Sequence, residues 1–148
     1  MALTCSHVLF VALVSLTPSD ADQVLKNLQG KWTPDTIESE GAVLNLDTPV
    51  RAPYARRTFE IKGDKLTVFF PDKGTSMEGK LIIDASTTPK QFDVVFPGGS
   101  KYIGIFAVDG DVLVFSLQWG GSNKRPEHFT THRDDWMDRP IVEILRRK

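Results

Sequence analysis

The sequence predicts an all-β fold, an antiparallel barrel of eight or nine strands with a short N-terminal helix. Three observations predict it. Short runs of alternating or continuous apolar residues follow one another from Lys31 to Leu145. Tight-turn signals separate them, at Gly63-Asp64, Pro71–Gly74, Pro97-Gly98-Gly99 and Asp109-Gly110. No strand–helix–strand alternation is present, which argues against a parallel sheet.

The chain has 148 residues, 41% of them hydrophobic and 25% charged, within the range of one ordinary globular domain. Lys and Arg total 18 against 19 Asp and Glu. That balance gives no electrostatic case for nucleic acid as a partner. From His7 to Leu16 the chain carries no charge. This run is too short to span a bilayer, which takes about 20 apolar residues, but it suits the apolar region of a secretory signal. Small residues at Ser19 and Ala21 suit a signal peptidase. Residues 1–21 are therefore expected to be a signal peptide and 22–148 an exported domain, periplasmic or extracellular, with no stable membrane insertion after cleavage. Cleavage after Ala21 would remove Cys5, the single cysteine, so no disulfide would support the domain.

The elements follow in order. Ser19 can cap a short helix in which Val24, Leu25 and Leu28 share one face, and Gly30 stops it. Lys31 to Glu38 fits a first strand, interrupted at Pro34. Ala42 to Ala55 holds Pro49 and Pro53 and shows no periodicity, so a long loop is expected. Thr58–Lys62 alternates, turns at Gly63-Asp64 and returns through Leu66–Phe70. Ser76–Asp84 places Met77, Leu81 and Ile83 on one face. Phe92–Phe96 precedes the Pro97-Gly98-Gly99 turn, and Lys101–Val108 and Val112–Trp119 flank Asp109-Gly110, the strongest hairpin signal in the chain. Glu127–Thr131 and Ile141–Leu145 are the last expected strands. Several strands are apolar on both faces, so one face must line an interior and the other must meet the helix, a loop or another subunit.

Leu28-Gln29-Gly30-Lys31-Trp32 resembles the G-x-W opening of lipocalins. The chain as a whole resembles one lipocalin-like family typical of planctomycete bacteria. Further matching pieces are Thr58–Thr67, Asp84–Asp93, Tyr102–Leu113 and Arg125-Pro126 with Phe129. The stretch His132–Pro140 departs from that pattern. The resemblance implies a small exported barrel in which Gly30 and Trp32 are structural and a basic residue near the last strand covers the Trp. Arg146 and Arg147 are the candidates, and Arg146 is the assignment adopted. The family supplies no established activity or catalytic residues.

No catalytic constellation stands out, and no catalysis, cofactor or metal is expected. His128-x3-His132 with Asp134 and Asp135 has ligand-type side chains, but the two histidines straddle an expected strand end and not one helix face, and no third histidine is nearby. Asp109-Gly110-Asp111 lacks the further oxygen ligands of a calcium loop. Glu60, Glu78 and Asp93 could serve as acid and base only if the fold brought two together. Phe59, Tyr102, Phe106 and Phe115 are candidate cavity residues, with Trp119 and Arg125 at a pocket rim. The expected function is non-enzymatic binding of a small apolar or amphipathic molecule inside the barrel. The alternative is a filled barrel whose outer face meets a protein partner or a second copy.

Overall fold

The computed structural model describes residues 19–48, 56–118, 124–131 and 140–148. Helix α1 spans Asp20–Leu28. The Ser19 hydroxyl accepts a hydrogen bond from the Asp22 N–H, and the Asp22 carboxylate accepts one from the Ser19 N–H, both at 3.2 Å. This reciprocal cap satisfies donors that a helix start leaves open. A cut after Ala21 would fall inside α1 and remove its cap. Val24, Leu25 and Leu28 pack against the core, as their common face predicts. Gly30 then takes φ of +118°, a backbone that β-carbon-bearing residues rarely adopt, and turns the chain from helix to strand.

Among the described residues nine strands follow: β1 (Gly30–Ser39), β2 (Ala42–Val43), β3 (Thr58–Lys62), β4 (Lys65–Phe70), β5 (Thr75–Asp84), β6 (Lys90–Val95), β7 (Lys101–Asp109), β8 (Val112–Gln118) and β9 (Pro140–Arg147). All pairings are antiparallel, and β1, β3, β4, β5, β6, β7, β8 and β9 follow one another around the sheet. Pairing of β1 with β9 closes those eight strands into a barrel, and β2 adds a two-residue extension to β1. Closure removes the open edges that would otherwise invite pairing with another chain. The β1–β9 ladder runs from Trp32 opposite Arg147 to Ser39 opposite Ile141, with one irregularity between Pro34 and Thr36. Pro34 lacks an N–H to give to a ladder, so a break is natural there.

Two ends result. At the α1 end, the Gln29 side chain accepts from the Gly63 N–H at 2.7 Å and donates to the Gly63 carbonyl at 3.0 Å, which pins the β3–β4 turn to the helix. Trp32 is 0% exposed, and its indole N–H donates to the Leu28 carbonyl at 2.9 Å. The opposite end carries the Pro71–Lys73 turn, the β6–β7 turn and the last residues of β1 and β8. Between them lies an aromatic interior. Phe59 meets Phe115 edge-on at 5.7 Å, Phe115 meets Phe92 at 6.0 Å and Phe92 meets Phe106 at 6.2 Å. Each such ring stabilises by about 1.5–3 kcal/mol through burial, and each edge contact adds about 0.5–1.5 kcal/mol. Gly104 makes room for this chain of rings. A β-carbon there would stand 2.5 Å from Phe92 Cε1 and 2.4 Å from the Ser116 carbonyl oxygen.

Glu127–Thr131 is not a strand. Side chains anchor this stretch instead of a ladder. Arg125 donates to the carbonyls of Phe92 and Gly104 at 2.8 and 2.6 Å, and the Thr131 hydroxyl donates to Glu38 at 2.6 Å and accepts from the Gly41 N–H at 2.7 Å. Between these anchors stand β8 and β9, whose outward Ser116, Gln118 and Val142 are buried. The two-sided apolar strands thus find cover on their outer face. The loop expected over Ala42–Ala55 holds β2 at its start, and residues 49–55 lie outside the described residues.

The cover of Trp32 is Arg147, not Arg146. Register decides this: Arg147 stands directly opposite Trp32 and shares its face, so the guanidinium carbon sits 4.2 Å from the ring centroid. Arg146 is one position earlier and points outward, with its Nε 3.6 Å from the Asp35 carboxylate. Arg147 also donates to the carbonyls of Gln29, Asn27 and Gly110 and to the Asp111 carboxylate. Arg147→Ala should therefore cost about 2–3 kcal/mol in urea unfolding. Arg146→Ala should stay within about 0.5 kcal/mol of wild type.

Candidate functional site

The interior is not completely filled. A cavity of about 120 Å³ remains on the barrel axis. Alternation along each strand fixes which side chains reach it. Phe59 and Ile61 come from β3, Leu81 and Ile83 from β5, Phe92 and Val94 from β6, and Leu113, Phe115 and Leu117 from β8. Leu28 and Leu145 stand at the α1 end. Phe70, Met77, Phe96 and Tyr102 stand toward the opposite end, where Phe96 and Tyr102 meet edge-on at 5.1 Å.

Of the six residues that the sequence offers for ligand contact, Phe59, Tyr102, Phe106 and Phe115 line this one cavity. Arg125 does not. Its guanidinium is held by the two backbone carbonyls and by the Asp93 carboxylate at 2.6 Å, away from the cavity wall. Trp119 lies outside the described residues.

Two charged residues that the sequence reading passed over are in the wall. Arg57 and Glu143 line the cavity at 5% and 2% exposure, and Arg57 Nη2 donates to Glu143 Oε1. The Arg57 guanidinium also lies 5.0 Å from the Phe59 ring centroid. The signal was present as alternation. Arg57-x-Phe59-x-Ile61 and Ile141-x-Glu143-x-Leu145 each put one charge on the apolar face of a strand. Around Glu143, its cross-strand neighbours are Ile37 on β1 and Phe115 on β8, both apolar. Glu143 Oε2 receives no hydrogen bond from the described residues. Burial pushes the Glu143 carboxyl above its ordinary pKa, and the charge and hydrogen bond of Arg57 oppose that shift without cancelling it.

The other carboxylates do not converge. Glu60 is exposed on the outer face, Glu78 pairs with Lys65 at 2.7 Å, and Asp93 pairs with Lys101 at 2.7 Å and with Arg125. Burial alone would raise the Asp93 carboxyl, but the hydrogen bonds and charges of Lys101 and Arg125 hold it below its ordinary value. His132, Asp134 and Asp135 lie outside the described residues, and among the described residues no three metal-ligand side chains gather. Asp109 and Asp111 flank a hairpin turn, with Asp111 accepting from Arg147 Nε at 3.1 Å. Among the described residues, no helix is long and apolar enough to cross a membrane.

The buried pair makes a sharp thermodynamic expectation. Arg57→Met alone or Glu143→Leu alone leaves one charge buried without its partner and should cost about 3–5 kcal/mol. The double change Arg57→Met/Glu143→Leu should cost far less than the sum, because it removes both desolvation penalties; a double-mutant cycle by urea unfolding checks this. The pH dependence has a definite sign. A carboxyl whose folded pKa is raised stabilises the fold below its unfolded pKa, and that contribution is lost as pH rises through the folded pKa. The stability of wild type relative to Glu143→Gln should therefore fall as pH rises above the ordinary glutamate range, as followed by unfolding midpoints at successive pH values.

The closed eight-stranded antiparallel barrel is consistent with a lipocalin-like fold. No protein-family model, curated protein or solved structure matches the chain.

Proposed function

We propose that this domain is a non-enzymatic binding protein that holds one small, mostly apolar molecule inside its barrel. The observation that carries the reading is the mostly apolar cavity of about 120 Å³, walled by side chains from β3 to β9 and by Leu28 of α1. Pockets for drug-sized ligands usually measure about 300–1,000 Å³. An engineered apolar cavity of about 150 Å³ takes up benzene. The volume thus suits a molecule of about one ring, not a long lipid chain. Burial in a dry apolar space would supply most of the affinity, about 25 cal/mol for each Å² of apolar surface removed from water.

Assignment to the lipocalin-like family of the G-x-W opening, and export with loss of residues 1–21, belong to the same reading. The first is supported by the helix, Gly30, Trp32 and covering Arg147 arranged at the closed end. The second rests on the apolar run His7–Leu16.

The outer surface favours binding inside over docking outside. Among the described residues the exposed large apolar side chains are Val43, Phe69, Met77 and Ile82; Val43 lies on β2, Met77 belongs to the cavity wall, and Phe69 and Ile82 sit at opposite ends of adjacent strands, opposite Ser76 and Asp93 respectively. Scattered single residues of this kind are ordinary on a soluble surface.

Toluene is a suitable first probe. At a free concentration about 100 times its Kd it should stabilise the domain by about 2.7 kcal/mol, a rise of several degrees in Tm. Leu113→Phe, which puts a benzyl group where an isobutyl group stands and narrows the cavity, should reduce that rise while retaining the β-sheet circular dichroism. An unchanged Tm for wild type across the accessible toluene range would defeat the reading.

A further inference from the structure

We propose that the cavity selects a molecule with an apolar body and one neutral hydroxyl head, and that Glu143 Oε2 accepts the hydroxyl's hydrogen bond. This rests on the binding reading above and names the class of ligand.

Charge and hydrogen-bond capacity carry the inference. Glu143 is 2% exposed and forms part of the cavity wall. An ionised carboxylate only accepts, and each of its oxygens can accept more than one hydrogen bond. Oε1 is engaged by Arg57, whereas Oε2 has no donor among the described residues. The register supplies none, since Ile37 and Phe115 are the flanking side chains on the same face. A buried acceptor without a donor is costly, and a ligand hydroxyl would remove that cost.

The head's charge follows from the pair. Arg57 and Glu143 already balance each other inside an apolar shell. A carboxylate or an ammonium head would bury a third charge without a counter-charge, which is heavily penalised. A carboxylate would in addition meet Oε2 as like charge and as a second acceptor. A hydroxyl keeps the balance and brings the donor. The cavity volume limits the body to about one ring.

Phenol and toluene nearly match in shape and differ in the donor, so their ratio isolates the head. Both, together with benzoate, are titrated calorimetrically in mildly alkaline buffer, still below the pKa of phenol, into the full domain and into Arg57→Met/Glu143→Leu. Toluene and phenol should bind wild type, and benzoate should bind more weakly than phenol. In the double variant toluene binding should persist, and the preference should shift toward toluene by about tenfold. A ratio unchanged by the double substitution would overturn the inference, as would benzoate binding tightest, which would make Arg57 the anchor. Should the double variant not fold, the side-chain carboxyl ¹³C resonance of Glu143 in wild type decides. It should move with phenol and stay with toluene; equal response to both overturns the assignment. If toluene also fails to bind wild type, the binding reading itself falls and this inference falls with it.

Discussion

Closure of the barrel depends on the β1–β9 ladder. Those strands are the first and last of the eight that close, so their pairing is the most distant in sequence, and its loop-closure entropy must be overcome by contacts at the seam. The seam is tied at the α1 end. Trp32 and Arg147 stand opposite each other where the ladder begins, and Arg147 also reaches the helix end and the β7–β8 turn. Helix, first strand, a hairpin and last strand thus meet at one guanidinium. A hydrogen bond given by a charged group is worth more than a neutral one, and a planar five-donor head suits several carbonyls at once.

The interior sets a different constraint. Eight strands leave a space just wide enough for side chains to fill. Aromatic rings meeting edge-on fill it incompletely, because they prefer offset or perpendicular contacts to face-to-face stacks. The cavity is the remainder of that packing. Gly104 shows how closely the rest is fitted, since one added carbon would collide with Phe92 and with the neighbouring strand.

Much of this was legible in the sequence. The turns at Gly63-Asp64 and Asp109-Gly110 and the strands beside them follow from alternation and turn chemistry alone. So do the cavity positions of Phe59, Phe106 and Phe115, which share their strands' inward face. Three things were not legible, each for a physical reason. Arg147 could not be told from Arg146, because a single-residue slip in register exchanges the faces and the irregularity at Pro34 lies within that register. Glu127–Thr131 has strand-like residues, but Pro126 and the anchoring side chains of Arg125 and Thr131 take over its hydrogen bonding. The partnership of Arg57 and Glu143 spans 86 positions, and only closure of the barrel brings it together.

That partnership is also where stability and function separate. Two well-packed apolar residues in place of a buried ion pair often hold a fold as well or better, since neither must be stripped of water. The pair stands in a wall that is mostly aromatic and aliphatic. On the binding proposal, its contribution would instead be a fixed direction in a mostly apolar space. Apolar contact is non-directional and cannot orient what it holds. One carboxylate oxygen, set in place by a guanidinium that itself lies against Phe59, can orient a bound molecule. Selection by a single such group is strong when the competing molecule would leave it without a partner, and weak when the competing molecule merely differs by a methylene. A cavity of this size and composition would therefore discriminate among ligands by their one polar group far more sharply than by the details of their apolar body.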